Sequence, residues 1–562
     1  MAWHKSSTIK LKTYFFLTAF VIGIIHAWLT RYVTDSDATS HLDMGDAFFQ
    51  GNRMAIINGF WNPLYALIMG FFLSVFKPIS YYELIVIHFV NFFIYILSFF
   101  CFDFFLEQLI KYNKQKEVNL SKTELTTLPQ WAWYSLGYSL FIWSSMNLTT
   151  ISAVAPDLCT NAIIYLSSGI LLKIKSGSAN WFTFVVLGIV LGLGYLLKPV
   201  MFSIAFIVLG VAIFAISDLK RGVLYVLITL LVFFTVASPY IILLSKSKGR
   251  LTFGETGNIL YHWDTNCNAC QYLNLGFPGC KQFTHPVRII FNSPLVLEYS
   301  TPFNVTYPLV YDPSYWCDGG LKAYFDLKGQ ILALLKSFKE YFTYLFFQTQ
   351  GILLTGYLIL SLISSRKWLC LKDIKNEWVL VTMPLLAMSM YSILHVEARY
   401  IGAFVTLLWL GLFSSLKLPD SKEIKKFVSC LIIILSTFML ITSLFSEDLL
   451  ENRLYAKELS VNWDVAKSLQ KIGIQKGDKV GVIGICDDYY WARLTRVHII
   501  AEIPLDEEIA NFWAADSFVK SQVLQAFKKA GTKMVIAGRA PAYASKLGWK
   551  NIKDTSYYFY VL

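Results

Sequence analysis

Long apolar runs alternate along this chain with short polar links. Most runs have the length that crosses a bilayer's hydrocarbon layer as a helix, roughly 17–25 residues. They cover Tyr14–Leu29, Leu84–Phe105, Trp131–Leu148, Leu158–Leu172, Trp181–Leu197, Val200–Ile216, Val223–Leu244, Tyr341–Ile363, Trp378–Leu394, Ile401–Leu416 and Phe427–Phe445, which predicts eleven spans. The run Pro63–Phe76 is apolar but short, and Asn62-Pro63 and Lys77-Pro78 bound it. Its length suits an interfacial or re-entrant helix. Tyr14–Leu29 follows Lys5, Lys10 and Lys12 and is not succeeded by a small-residue cleavage site, so it reads as a retained span rather than a signal peptide.

The last 115 or so residues break this pattern and return to a soluble composition. Lys479–Ile485 and Lys533–Ala537 read as buried strands and Tyr557–Leu562 as a last strand, with helices over Trp463–Lys471 and Asp516–Lys529. The expected organisation is a membrane domain over 1–445 and a small α/β domain over 446–562.

Charge tests the span count. With the N-terminus cytoplasmic, eleven spans place Lys5/Lys10/Lys12, Lys111/Lys114/Lys116/Lys122, Lys173/Lys175, Lys220/Arg221, Arg366/Lys367/Lys372/Lys375 and Lys417/Lys422/Lys425/Lys426 inside. The short outer links carry only Lys198 and Arg399. Counting Pro63–Phe76 as a span would turn every later basic loop outward, against the positive-inside rule. The outer parts are then the loops 31–82 and 245–340 and the C-terminal domain.

Composition agrees. Of 562 residues 56% are hydrophobic and 15% charged, with a mean hydropathy of +0.51. That excludes a disordered chain, a coiled coil and an ordinary soluble enzyme. The net charge of +12 is mainly a topology signal, not a nucleic-acid patch. Four of the nine cysteines, Cys267, Cys270, Cys280 and Cys317, lie in one outer loop. They read as two disulfides of unassigned connectivity, with a zinc knot as the alternative because Cys267-x-x-Cys270 has ligand spacing.

The candidate chemistry sits at span ends on the outer side. Asp35 and Asp37 follow span one, and Asp157 follows span three. Lys198 ends span five, and His395, Glu397, Arg399 and Tyr400 link spans nine and ten. Each has a structural alternative: Asp37 and Asp157 as helix caps, Lys198 as a snorkelling lysine, Arg399 as a partner of Glu397 or of lipid phosphate. Together they suit transfer of a group from a lipid phosphate. Lys and Arg would hold the leaving phosphate, and a carboxylate would take the proton of an incoming hydroxyl. For a sugar, a carboxylate opposite the leaving group gives inversion in one displacement.

Several motifs carry a resemblance: Asp35-Ser36-Asp37-Ala38, Gly51-Asn52, Asn62-Pro63-Leu64-Tyr65, Pro156-Asp157, Gly192-Leu193-Gly194-Tyr195-Leu196-Leu197-Lys198-Pro199 and Glu397-Ala398-Arg399-Tyr400. In order and spacing, over roughly residues 10–415, they resemble the GT-C superfamily of polyprenyl-phosphate-sugar glycosyltransferases. The closest likeness is to the protein O-mannosyltransferase and lipid A aminoarabinose transferase group. The resemblance implies a polytopic helical fold and a polyprenyl-phosphate-linked sugar as donor. It also implies an acceptor lipid, glycan or protein, and a multi-pass place in the plasma (inner) membrane. It casts Asp37 as base with Asp35 as alternate, Asp157 as second carboxylate, and Lys198, Arg399 and Tyr400 as donor-phosphate contacts. Metal-using relatives leave a divalent ion (Mg or Mn) open at Asp157. Similar bacterial sequences share the stretch Tyr311-Asp312-Pro313-Ser314-Tyr315-Trp316, which makes Tyr311, Asp312, Tyr315 and Trp316, with His395 and Glu397, candidate sugar contacts; the alternative is a packed loop. The competing functions are a multi-span transporter, for which no internal repeat is visible, and a polysaccharide polymerase or ligase using lipid-linked glycans.

Overall fold

The computed structural model describes residues 2–562 except 35, 121–124, 217, 267–287, 300–302, 304, 316–322, 348, 365–370, 447–448, 450–460, 485–488, 539 and 553–554. Asp35, Trp316 and the four loop cysteines fall outside the described residues.

The first half comprises α1 (Ala2–Leu29), α2 (Ser36–Phe49), α3 (Pro63–Phe76), α4 (Glu83–Leu120), α5 (Gln130–Asn147), α6 (Asp157–Lys175), α7 (Trp181–Leu197), α8 (Met201–Ala215) and α9 (Leu219–Lys248). There follow α10 (Thr256–Tyr261), α11 (Pro308–Tyr311), α12 (Leu327–Phe346), α13 (Thr349–Ile363), α14 (Leu371–Asn376), α15 (Trp378–Leu394), α16 (Ala398–Ser414) and α17 (Lys422–Leu444). Five stretches, Thr8–Leu29, Ser80–Glu117, Asp157–Lys175, Leu219–Lys248 and Lys422–Leu444, are long and apolar enough to cross a membrane. Shorter apolar helices, α7, α8, α15 and α16, stand where spans were expected, and α3 is a separate short helix. Leu231 and Leu362 are at least 70% exposed. Apolar surface of this kind, repeated along α1, α9 and α17, is what lipid would cover.

One expected span is corrected. Tyr341–Ile363 is not a single helix: α12 ends at Phe346, and its axis meets that of α13 at 67°. The reason is the polarity of α12. It buries Gly329, Gln330, Ala333 and Ser337 and exposes Lys336 and Lys339, so it cannot extend the apolar axis of α13.

Ion pairs fasten the end of the bundle that carries the basic loops. Lys12 meets Asp103 at 2.7 Å and Glu107 at 3.0 Å, Lys116 pairs with Glu377, and Lys417 lies 2.5 Å from Asp373. A two-stranded pairing of β1 (Leu125–Thr126) with a later strand, Leu418–Pro419, closes the same end.

At the opposite end, three close helix approaches set the site. Gly45 of α2 faces Gly70 of α3, where a Cβ on Gly45 would lie 2.5 Å from the Ala66 carbonyl oxygen. On α7, a Cβ on Gly192 would fall 2.6 Å from Val236 of α9, and one on Gly194 would fall 2.9 Å from Ile163 of α6. The glycines of the Gly192–Pro199 motif therefore let α7 sit against both neighbours, and Lys198 at its end is delivered to Asp157 at the start of α6.

The tail forms a mixed sheet that is not self-contained. Its strands are β2 (Arg288–Asn292) and β3 (Leu295–Glu298) from the 245–340 loop, and β5 (Lys479–Ile483), β6 (His498–Ile503), β7 (Met534–Ala537), β8 (Lys550–Asn551) and β9 (Tyr558–Val561); β4 (Leu418–Pro419) is the partner of β1 and lies outside this sheet. The sheet order is β2-β3-β6-β5-β7-β9-β8, parallel across β6-β5-β7 and antiparallel elsewhere. Leu297 is in register with Glu502, so a boundary at residue 446 leaves out two of its seven strands. Helices over 461–471, Asp506–Ala514 and Ser517–Lys529 accompany it.

A short helix, Tyr490–Thr495, docks the sheet on the bundle. Arg493, 1% exposed, reaches Asp43 at 2.5 Å and Asp46 at 2.6 Å on α2, and also Glu83 at the start of α4. Arg496 adds contacts of 2.7 Å to Asp46 and 2.9 Å to Glu83. Asp43 accepts two further hydrogen bonds, from the Thr306 backbone N–H and hydroxyl. The acidic face of α2 is thus spent on docking the tail.

Candidate active site

The other face of α2 lines a cavity of about 540 Å³. Asp37 stands in the first turn of α2, and Arg399 in the first turn of α16. Arg399 Nη2 donates to Asp37 Oδ2 at 3.0 Å, and its Nε donates to Glu397 at 2.5 Å. Lys198 closes α7 as its C-cap, and Asp157 opens α6. Lys198 Nζ donates to Asp157 Oδ1 at 2.5 Å. The helix ends favour Lys198 at a C-terminus and Asp37 and Asp157 at N-termini, whereas Arg399, in a first turn, relies on its carboxylate partners.

Tyr400 joins the two ion pairs. Its ring centroid lies 3.6 Å from Lys198 Nζ and 5.3 Å from the Arg399 guanidinium carbon, and Tyr391 stacks behind it at 5.6 Å. An ammonium over an aromatic face is held electrostatically without losing a hydrogen-bond donor.

His395 ties this group to the loop segment around residue 264. Its Nδ1 lies 2.6 Å from Asp264 and its Nε2 3.0 Å from Glu397. Burial alone would disfavour its charge, but hydrogen bonds to the two carboxylates raise its pKa to about 9. Burial likewise opposes charge on Glu397, while His395 and the Arg399 guanidinium hold its carboxyl at about 2. His395 is therefore an imidazolium at neutral pH.

The structure thus brings Asp37, Asp157, Lys198, His395, Glu397, Arg399 and Tyr400 onto one cavity. Tyr311 and Asp312 do not line it. Tyr311 donates its hydroxyl to the Ala55 carbonyl at 2.5 Å, and Asp312 accepts from Gly59 N at 3.1 Å and Ser314 N at 3.0 Å. Both are buried and pin the 53–62 segment, the packed-loop alternative. Tyr315 lies on the same short turn, Pro313–Tyr315. Among the described residues no group of three or more His, Cys, Asp or Glu is arranged to hold a metal ion. Asp37 and Asp157 each face a cation instead, so these residues do not fit a divalent metal.

Sequence reading missed His41, Trp61, Asp264 and Tyr391, all in the cavity wall, and gave Asn62 no role. His41 had a usable signal: it follows Asp37 by one helical turn and so shares its face. Asp264 had none, because only the fold brings it to His395.

No family model matches the chain, and no curated protein matches it. Among solved structures, it superposes on ArnT from Cupriavidus metallidurans bound to undecaprenyl phosphate, with a TM-score of 0.54 and 11% identity over 97% of each chain. For the same protein in the apo state the TM-score is 0.51, over 96% of each chain. It is also similar to the archaeal oligosaccharyltransferase AglB from Archaeoglobus fulgidus in complex with an inhibitory peptide and a dolichol-phosphate, with a TM-score of 0.51 and 11% identity, covering 96% of this chain and 70% of that one. The chain therefore shares the overall fold of these structures.

Proposed function

We propose that the protein is a membrane glycosyltransferase that moves a sugar from a polyprenyl-phosphate carrier to an acceptor hydroxyl on the extracytoplasmic side of the inner membrane. The observation that carries this reading is the pair of cations, Lys198 and Arg399, each held by a carboxylate and bridged by the Tyr400 ring, in the wall of one cavity. The fold shared with a structure bound to undecaprenyl phosphate supports the same reading.

The carrier phosphate binds between Lys198 and Arg399, taking up hydrogen-bond donors now turned to Asp157 and Asp37. Once Arg399 turns to the phosphate, Asp37 is free to act as a base. The acceptor oxygen attacks the anomeric carbon and its proton passes to the Asp37 carboxylate. The bond from that carbon to the phosphate oxygen breaks, and the carrier phosphate leaves with the electron pair. Attack opposite the leaving group inverts the anomeric centre. Asp157 keeps Lys198 in place, and His395 with Glu397 fixes the orientation of Arg399.

The test is incubation of the purified, detergent- or nanodisc-held protein with a panel of polyprenyl-phosphate sugars, scored for release of free carrier phosphate. Turnover of one member, lost in Asp37→Asn, is the expected result. No binding or turnover of any member overturns the reading. Turnover only of diphosphate-linked glycans would instead favour a ligase or polymerase.

A further inference from the structure

Two buried polar groups in the cavity wall have no hydrogen-bond partner among the described residues. One is the whole imidazole of His41, with both ring nitrogens unpaired; the other is the Asn62 side-chain oxygen. His41 is 0% exposed and Asn62 1%. Asn62 is already fixed by its other end, since its amide nitrogen donates to the Tyr195 carbonyl. The His41 ring is fixed by packing, with the Trp61 ring centroid 4.9 Å away and that of Tyr65 5.1 Å away.

Leaving such groups unpaired in a buried wall costs stability, and an apolar side chain of similar shape would avoid that cost. Phe at position 41 would keep both ring contacts. Retaining a histidine here therefore points to a group that arrives from the cavity. Burial, together with the nearby Arg399 and Lys198, keeps His41 neutral, with a pKa pushed down to about 3. A neutral imidazole offers one donor and one acceptor, not a counter-charge for phosphate. Its natural complement is a hydroxyl, which also gives and takes one hydrogen bond. Asn62 adds a second acceptor, and Trp61 an aromatic wall suited to the apolar face of a sugar ring.

We infer that His41 and Asn62, walled by Trp61, form a subsite for the hydroxyl groups of the donor's sugar, separate from the Lys198/Arg399 phosphate contacts. This rests on the glycosyltransferase reading above. It assigns affinity for the sugar, as distinct from the carrier, to neutral groups on α2 and at the start of α3.

The experiment compares wild type with His41→Phe, His41→Gln and Asn62→Ala in two binding titrations. One uses undecaprenyl phosphate. The other uses the glycosyl undecaprenyl phosphate that wild type selects from the panel. The inference expects His41→Phe to melt at or above the wild-type temperature and to bind undecaprenyl phosphate unchanged. It also expects this variant to lose about tenfold in affinity for the glycosylated carrier, the equivalent of one hydrogen bond. His41→Gln should recover part of that loss, and Asn62→Ala should lose a similar amount on the glycosylated carrier alone. Equal loss on both carriers, or no loss on either, overturns the subsite. Failure of wild type to bind any member of the panel overturns the functional reading instead.

Discussion

Arg399 and Asp37, 362 positions apart in the chain, meet at 3.0 Å across the cavity wall. The guanidinium thus holds the carboxylate that the proposed reaction needs free. Asp37→Asn should reduce sugar transfer by about 10²–10⁴-fold. It should leave affinity for undecaprenyl phosphate equal or higher, because Arg399 loses a competing partner. Arg399→Gln should act the other way, with weakened carrier binding. Paired activity assays and carrier titrations separate the two, and loss of carrier binding in Asp37→Asn would contradict this assignment.

Lys198 rests on the Tyr400 ring rather than on its hydroxyl. Tyr400→Phe should therefore stay within about threefold of wild type in carrier affinity, and Tyr400→Ala should lose about tenfold, the worth of a desolvated cation–π contact. Equal losses in both variants would shift the role to the hydroxyl.

The His395 clasp predicts a pH dependence. The folded pKa, about 9, lies above the ordinary histidine value of 6.5, so its stabilisation is complete below about pH 6.5 and is lost as pH rises through about 9. The full effect is on the order of 3 kcal/mol. Thermal melts should fall between pH 7 and about 9.5 in wild type, and the drop should flatten in His395→Gln. An identical drop in both would assign it elsewhere.

Arg493 is buried against three carboxylates, Asp43, Asp46 and Glu83. Arg493→Met strands them, and such breaks cost about 3–5 kcal/mol. The more exposed Arg496→Met should cost clearly less. Limited proteolysis should release the tail from the first variant before the second.

Much of this architecture was visible in the apolar runs, because a helix in lipid satisfies its backbone locally and its length announces itself. Lys198, Asp157, Arg399 and Asp37 were readable because charges at span ends are few. What escaped depended on long-range placement. The break between α12 and α13 falls inside one apolar run, and only burial of Gln330 and Ser337 reveals that α12 lies on protein. Asp43 and Asp46 look like Asp37 in sequence, yet they point to the opposite face of α2 and serve the tail. Tyr311 and Asp312 had the composition of a sugar site and turned out to brace a loop.

The strand pairing in the tail also sets an order of assembly. Strand β6 has β3 on one side and β5 on the other, and β3 belongs to the middle of the chain. During synthesis the β2–β3 ribbon emerges long before its partner and must wait unpaired until the last hundred or so residues arrive. Made alone, those last residues would carry β6 as a bare edge, prone to joining a second molecule. Maturation of this protein therefore ends with a joining of distant segments, and the same event brings Arg493 onto the helix that bears Asp37.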